Sequence, residues 1–118
     1  ASVLDASLDG LMAFRTVRGA DGSIVDFEWM LVNPRAEQIT GYSASELVGR
    51  RMLDVFPGNR AAGFFDTYRR VVETQERASF EQHYPHDGLD VTFRVVATPL
   101  VKEDGFTVSF TSVQQPVS

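Results

Sequence analysis

Apolar residues recur along this chain with two different periods, and the change of period divides it into segments. Leu11 to Arg18 is rich in apolar and β-branched residues and reads as a first strand. In Ile24 to Val32, Val25, Phe27, Trp29 and Leu31 alternate with Asp26, Glu28 and Met30. That period of two predicts a second strand, with Asp26 and Glu28 on its solvent face. Gly19-Ala20-Asp21-Gly22 between the two runs is turn chemistry, so together they read as a hairpin. Ahead of them, Leu4 and Leu8 at helical spacing predict a short lead-in over Asp5 to Gly10, either a dimer contact or an end cap.

The pattern turns helical at Asn33. Asn33-Pro34 pairs a capping side chain with the residue suited to a first helical turn, and Gly41 suits the left-handed position that ends the helix. Ser43-Ala44-Ser45-Glu46 has the spacing of a capping box, with Tyr42 and Leu47 placed as its hydrophobic staple and Gly49 as its stop. A further turn over Leu53 to Phe56 is halted by Pro57-Gly58. Ala61 to Glu76 predicts the longest helix. Phe64, Phe65, Tyr68, Val71 and Val72 form its apolar stripe, and Arg69 stands one turn before Glu73 on the other face.

Three alternating runs follow. Phe80, Gln82 and Tyr84 mark a strand over Ala78 to Tyr84. Leu89, Val91, Phe93 and Val95 mark the next, and Phe106, Val108 and Phe110 the last. His86-Asp87-Gly88 and Glu103-Asp104-Gly105 supply the turns. Every strand has one strongly apolar side, so the helices must cover one face of an antiparallel sheet in an α+β fold.

Composition narrows the chemistry. The chain has 118 residues, the size of one domain with one core. Its 11 basic and 16 acidic residues give a net charge of −5, which disfavours nucleic acid and anionic membrane surfaces as partners. No apolar run approaches the roughly 18 residues of a membrane span. The chain opens on Ala1 without a signal-peptide pattern and reads as an excised fragment or a processed chain. Cysteine is absent, which removes disulfides, thiolate metal sites and thiol nucleophiles, and fits a reducing cytoplasm. His83 and His86, three apart at a strand end and turn, read as solvated loop residues rather than metal ligands. There is no Gly-rich phosphate loop and no nucleophile motif, so no catalytic residue is assigned.

The run Asn33-Pro34-Arg35-Ala36-Glu37-Gln38-Ile39-Thr40-Gly41-Tyr42-Ser43, followed by Glu46-Leu47-Val48-Gly49-Arg50, resembles the central signature of PAS sensory domains. Val71-Val72-Glu73-Thr74, Thr98-Pro99-Leu100 and Asp104-Gly105 are similar to later parts of that family, and the likeness extends from about Leu4 to Val113. The resemblance implies a PAS-like five-stranded antiparallel sheet in the order 2-1-5-4-3 with helices over one face. It also implies a sensor or dimerisation role beside an output domain such as a histidine kinase or diguanylate cyclase. The chain departs from the subgroups with known cofactors. Flavin photosensors and photoactive-yellow types need a cysteine, and haem-binding oxygen sensors use a histidine on the long helix; neither is present. Ser112-Val113-Gln114 stands where an Asp-Ile-Thr motif commonly couples the last strand to output, and Gln75 stands where a Gly often ends the long helix.

These readings define a non-catalytic, cytoplasmic PAS-like regulatory domain over residues 1–113, with 114–118 as a tail toward an output domain. It is expected to come from a bacterial signalling protein and to form a homodimer. It carries no metal, no flavin adduct and no haem, and senses a small apolar ligand or signals through dimer contacts. The candidate pocket draws Phe64, Phe65 and Tyr68 from the long helix and Ile39, Tyr42 and Leu47 from the short ones. Phe27, Trp29, Phe93, Val95, Val108 and Phe110 come from the strands. Tyr42 and Tyr68 would be its polar handles. Arg94 should face solvent or a partner; facing inward, it would indicate an anionic ligand. The same aromatic residues could simply fill a core, which leaves a ligand-free interaction module as one alternative. A small cone-shaped enzyme of ketosteroid-isomerase type is another, and it would need a buried acid–base residue.

Overall fold

The computed structural model describes residues 9–113, so most of the expected lead-in and the tail from residue 114 lie outside the described residues. Gly10, expected to close that lead-in, instead opens the first strand, β1 (Gly10–Arg18). The order continues with β2 (Ile24–Val32), α1 (Pro34–Thr40), α2 (Ala44–Leu47), α3 (Met52–Val55), α4 (Gly58–Ala61) and α5 (Phe64–Thr74). It ends with β3 (Ala78–Tyr84), β4 (Val91–Pro99) and β5 (Gly105–Val113). The strands form one antiparallel sheet in the order β2-β1-β5-β4-β3, as expected. The helices pack on one face, and the core lies between: Phe14, Phe27, Trp29, Val95 and Phe106 from the sheet against Leu47, Phe65, Tyr68 and Val72 from the helices.

Local chemistry sets the helix ends. Asn33 Oδ1 accepts from the Ala36 amide at 2.8 Å and from the Leu11 amide at 2.9 Å, so one side chain caps α1 and ties it to β1. Ser43 and Glu46 form both halves of the capping box at α2. The expected helix from Ala61 to Glu76 is two helices. Gly63 adopts φ 88° and breaks the chain between α4 and α5. Gly58, expected as a stop, also begins α4. At the far end Gln75 takes the left-handed conformation (φ 59°) that favours glycine, and its Nε2 donates to the Val72 carbonyl at 2.7 Å.

Asp26 corrects the alternation reading. It is buried rather than solvent-facing, and its Oδ1 accepts from the Phe27 amide at 2.8 Å and the Leu53 amide at 3.1 Å. The register explains the discrepancy. Arg18 pairs with Ile24 but Val17 with Asp26, and Ala13 pairs with Leu31 but Phe14 with Trp29. Val25 and Met30 are therefore bulged out, and the strict period of two fails at both ends of β2. Val25, Met30 and Leu31 are exposed, while Ile24 turns inward. The outer edge of β2 is closed by the segment after α2: the Trp29 amide donates to the Arg50 carbonyl at 3.1 Å, and the Gly49 amide to the Trp29 carbonyl at 3.0 Å.

Candidate functional site

The aromatic side chains of sheet and helices do not close completely. A cavity of about 70 Å³ remains between all five strands on one side and α1, α3, α4 and α5 on the other. Of the residues expected to line a pocket, Trp29, Phe64, Tyr68, Phe93, Val95 and Phe110 stand on its wall. Phe27, Leu47, Phe65 and Val108 are buried in the core beside it but do not reach the wall, and Ile39 is packed at the core's edge. Tyr42 does not reach it either; its ring meets that of Phe56 edge-on at 5.4 Å.

The wall also holds residues outside the expected set: Met12, Phe14, Thr40, Met52, Phe56, Asn59, Tyr84 and Leu89. Met12 and Phe14 project from β1 on the inner face, and the Trp29 indole donates to the Met12 sulfur at 3.2 Å. The same alternation that placed Phe80 and Gln82 on one face includes Tyr84, so that residue was within reach of the pattern. Asn59 was not, because it follows a Pro-Gly pair that reads only as a turn.

Few polar atoms face this space. Thr40 donates its hydroxyl back to the Ala36 carbonyl at 2.9 Å. Asn59 Nδ2 donates to the Phe56 carbonyl at 2.9 Å. The Tyr84 hydroxyl donates to Asp87 Oδ2, which also accepts from the Gly58 amide at 2.9 Å. Asp87 sits at φ 57° and Gly88 at φ 82°, the two left-handed residues of a hairpin turn closed by the Leu89 amide on the His86 carbonyl. This turn and the start of α4 are in close contact: a Cβ on Gly58 would lie 2.3 Å from His86 Cβ. Burial pushes the Tyr84 phenol well above its ordinary pKa, with Asp87 adding to the shift, and burial alone does the same to Tyr68.

Among the described residues, no cationic side chain is on the wall. Arg60 lies with its guanidinium 4.7 Å from the Phe65 ring centroid. Arg94 faces solvent, as expected, and pairs across strands with Glu81 at 3.2 Å. His83 is exposed and bonds to Asp90, and no cluster of metal-ligating side chains occurs among the described residues. No helix among the described residues is long and apolar enough to cross a membrane.

The geometry has known counterparts. The chain superposes on a light-oxygen-voltage (LOV) protein of Rhodobacter sphaeroides with a TM-score of 0.70 and 16% identity, covering 94% of this chain and 62% of that one. A PAS domain from Colwellia psychrerythraea gives 0.66 and 19%, covering 93% of this chain and 90% of that one. The LOV domain of the blue-light activated histidine kinase EL346 of Erythrobacter litoralis gives 0.63 and 20%, covering 91% and 97%. These likenesses are of fold. No curated protein matches the sequence. The model of the PAS fold family matches residues 25–116, from the second residue of β2 through β5. With its signature residues acting as caps and packing contacts in the five-stranded sheet the family predicts, the chain belongs to the PAS fold family.

Proposed function

We propose that this domain is a sensory input module that takes up a small, mostly apolar molecule in the cavity between the sheet and α5. The observation that carries this reading is the cavity itself, walled by side chains from the sheet and from four helices at once. A ligand there touches the elements whose relative packing would have to change to pass a signal. It can act only by favouring one arrangement over another. The reading takes residues 1–113 as the sensor, paired in a homodimer within a cytoplasmic bacterial signalling protein. Residues 114–118 lead to an output domain such as a histidine kinase or diguanylate cyclase, and the kinase among the structural neighbours is consistent with this.

The walls do not suit a flavin. Typical cofactor pockets are roughly 300–1,000 Å³, whereas the rings of Phe14, Trp29, Phe64 and Phe93 leave about 70 Å³. The chain also has no cysteine to form a flavin adduct, and α5 has no histidine to hold a haem. Catalysis lacks support as well. Asp26, the buried carboxylate among the described residues, serves backbone amides and is not on the cavity wall. The cavity's small size favours a second reading, an interaction module whose core is effectively full.

Xenon, a small apolar probe, separates the two readings. Dissolved xenon should shift the methyl resonances of Met12 and Val95. Val95→Trp should abolish the effect by filling the space, at a cost of about 1–3 kcal/mol in stability. Xenon that leaves these methyls unmoved would establish the filled module instead.

A further inference from the structure

Part of the cavity wall is closed by a turn rather than by regular structure. Met12, Thr40 and Leu89 on the wall are partly exposed, and the other lining side chains are buried. Met12 is held in β1, which is paired on both sides, and Thr40 in α1. Leu89 alone of the three lies outside any strand or helix, directly after His86-Asp87-Gly88. Segments with few backbone hydrogen bonds open at the lowest free energy, so the wall yields first at Leu89.

The Asp87 carboxylate fastens this turn to the rest of the wall. Its Oδ2 accepts from the amide of Gly58, the first residue of α4, at 2.9 Å, and from the Tyr84 hydroxyl. Tyr84 is on the wall, and its ring meets that of Phe64 edge-on at 5.5 Å, at the start of α5. Gly58 packs so closely on the turn that any side chain there would strike His86. The backbone itself does not require an acid at residue 87. A hairpin turn with positive φ at both central positions takes Asn-Gly or Gly-Gly as well as Asp-Gly. What the acid adds is the pair of bonds to another element. Asp87 is not itself on the wall.

We propose that the turn from His86 to Leu89 is a gate to the cavity, latched by the Asp87 carboxylate on Gly58 and Tyr84, and that releasing the latch speeds the passage of small apolar molecules without changing how tightly they are held. This inference rests on the cavity reading proposed above and adds the route of entry. Affinity is set by the wall. Entry and exit rates both scale with the fraction of time the turn stands open. A latch that makes the same bonds in the empty and filled cavity has no differential effect on binding, so it alters both rates together.

The test uses the 118-residue chain and its Asp87→Gly variant, which keeps a residue suited to positive φ and removes only the carboxylate. Two readouts are needed: amide hydrogen exchange, and xenon entry and exit rates from saturation transfer between bound and dissolved xenon. Hydrogen bonds to a charged group are lost, so the open population should rise roughly 10- to 100-fold. The Leu89 amide, and the Ala62 amide that bonds to the Gly58 carbonyl, should exchange faster by that factor. Val95 and Val108, in the interior of the sheet, should keep their protection. Both xenon rates should rise by a similar factor, with the equilibrium affinity within about 2-fold of the wild type. Asp87→Asn keeps one neutral acceptor and should give roughly a 3- to 10-fold change; it decides the matter should Asp87→Gly not fold. If xenon binds but both its rates are unchanged in the variants, or if its affinity changes while the rates of entry do not, the gate is wrong and the cavity reading stands. If xenon does not bind the wild type, the cavity reading fails and the gate with it.

Discussion

Replacing Asp26 with alanine tests the least expected contact in the fold. α3 has no capping side chain of its own, since Arg51 at its N-cap makes no side-chain bond. Asp26 reaches from β2 to accept the Leu53 amide, the second residue of α3, and also holds the Phe27 amide. A hydrogen bond to a charged group contributes about 1.5–3 kcal/mol net. Two such bonds are lost in Asp26→Ala, and part of that loss is offset by no longer burying a carboxylate. The expected cost is about 2–3 kcal/mol. For a domain of this size each kcal/mol moves the melting temperature by roughly 4 °C, so the midpoint should fall by about 8–12 °C. Asp26→Asn keeps the Oδ1 acceptor and should cost less than about 1.5 kcal/mol. Urea unfolding of the three proteins, with equal m values, gives the comparison. An alanine variant within about 0.5 kcal/mol of the wild type would refute the idea that Asp26 caps α3 from the sheet.

Three further substitutions probe separate parts of the structure. Ser43→Ala removes the cap of α2 and should cost about 1 kcal/mol in a denaturation midpoint at neutral pH. The Ser43 amide, and after it the Ser43 hydroxyl, hold the Glu46 carboxyl below its usual range; Ser43→Ala removes only the hydroxyl's share, so this difference should narrow slightly as pH falls through that lowered pKa. Gly105→Ala should be severe: its Cβ would lie 2.0 Å from the Phe14 carbonyl oxygen, which belongs to the adjacent strand. A loss of at least about 3 kcal/mol is expected, and a soluble variant with wild-type thermal stability would count against that close approach. The Arg18 guanidinium holds the Asp104 carboxyl below the ordinary range. Stability from this pair is present above the unfolded carboxylate pKa, near 3.9, and is lost as pH falls through the lowered value. Asp104→Asn should therefore show a shallower acid-induced loss of stability below about pH 4, and parallel curves would exclude the pair as a contributor.

The architecture was legible where single residues have strong local preferences. Asn33-Pro34, Gly41 and the Ser43–Glu46 box carry their capping geometry in their own side chains, and the structure uses all of them. The strand turns at 19–22 and 86–88 were equally plain. What the pattern could not show came from contacts between segments. Asp26 looks like a solvent-face residue because alternation assumes a regular ladder, and the bulges at Val25 and Met30 exist only through pairing with β1. Gly63 separates Ala61, taken as the start of the long helix, from the Phe64–Val72 stripe that α5 carries. The site was half legible for the same reason. Trp29, Tyr68 and Val95 follow from strand and helix periods, but whether a buried ring borders a void or packs against another ring depends on three-dimensional fit. Phe27 and Phe65 face each other with ring centroids 5.4 Å apart and leave no opening. Asn59 reaches the wall only because α4 begins at a Pro-Gly pair that signals a stop.

The bulge at Met30 gives β2 one residue more than its ladder needs. A strand usually cannot lose a residue without transposing its two faces. Here the loss of Met30 would set Leu31 directly after Trp29, opposite Ala13, and leave Phe14 opposite Trp29 and Met12 opposite Val32. Every inward side chain would keep its direction. β5 runs against β1 and β4 with no such interruption, so one residue removed from its middle would turn part of the Phe106, Val108 and Phe110 row toward solvent. Related chains can thus differ in length at residue 30 while keeping the same interior, whereas the centre of the sheet must keep its count.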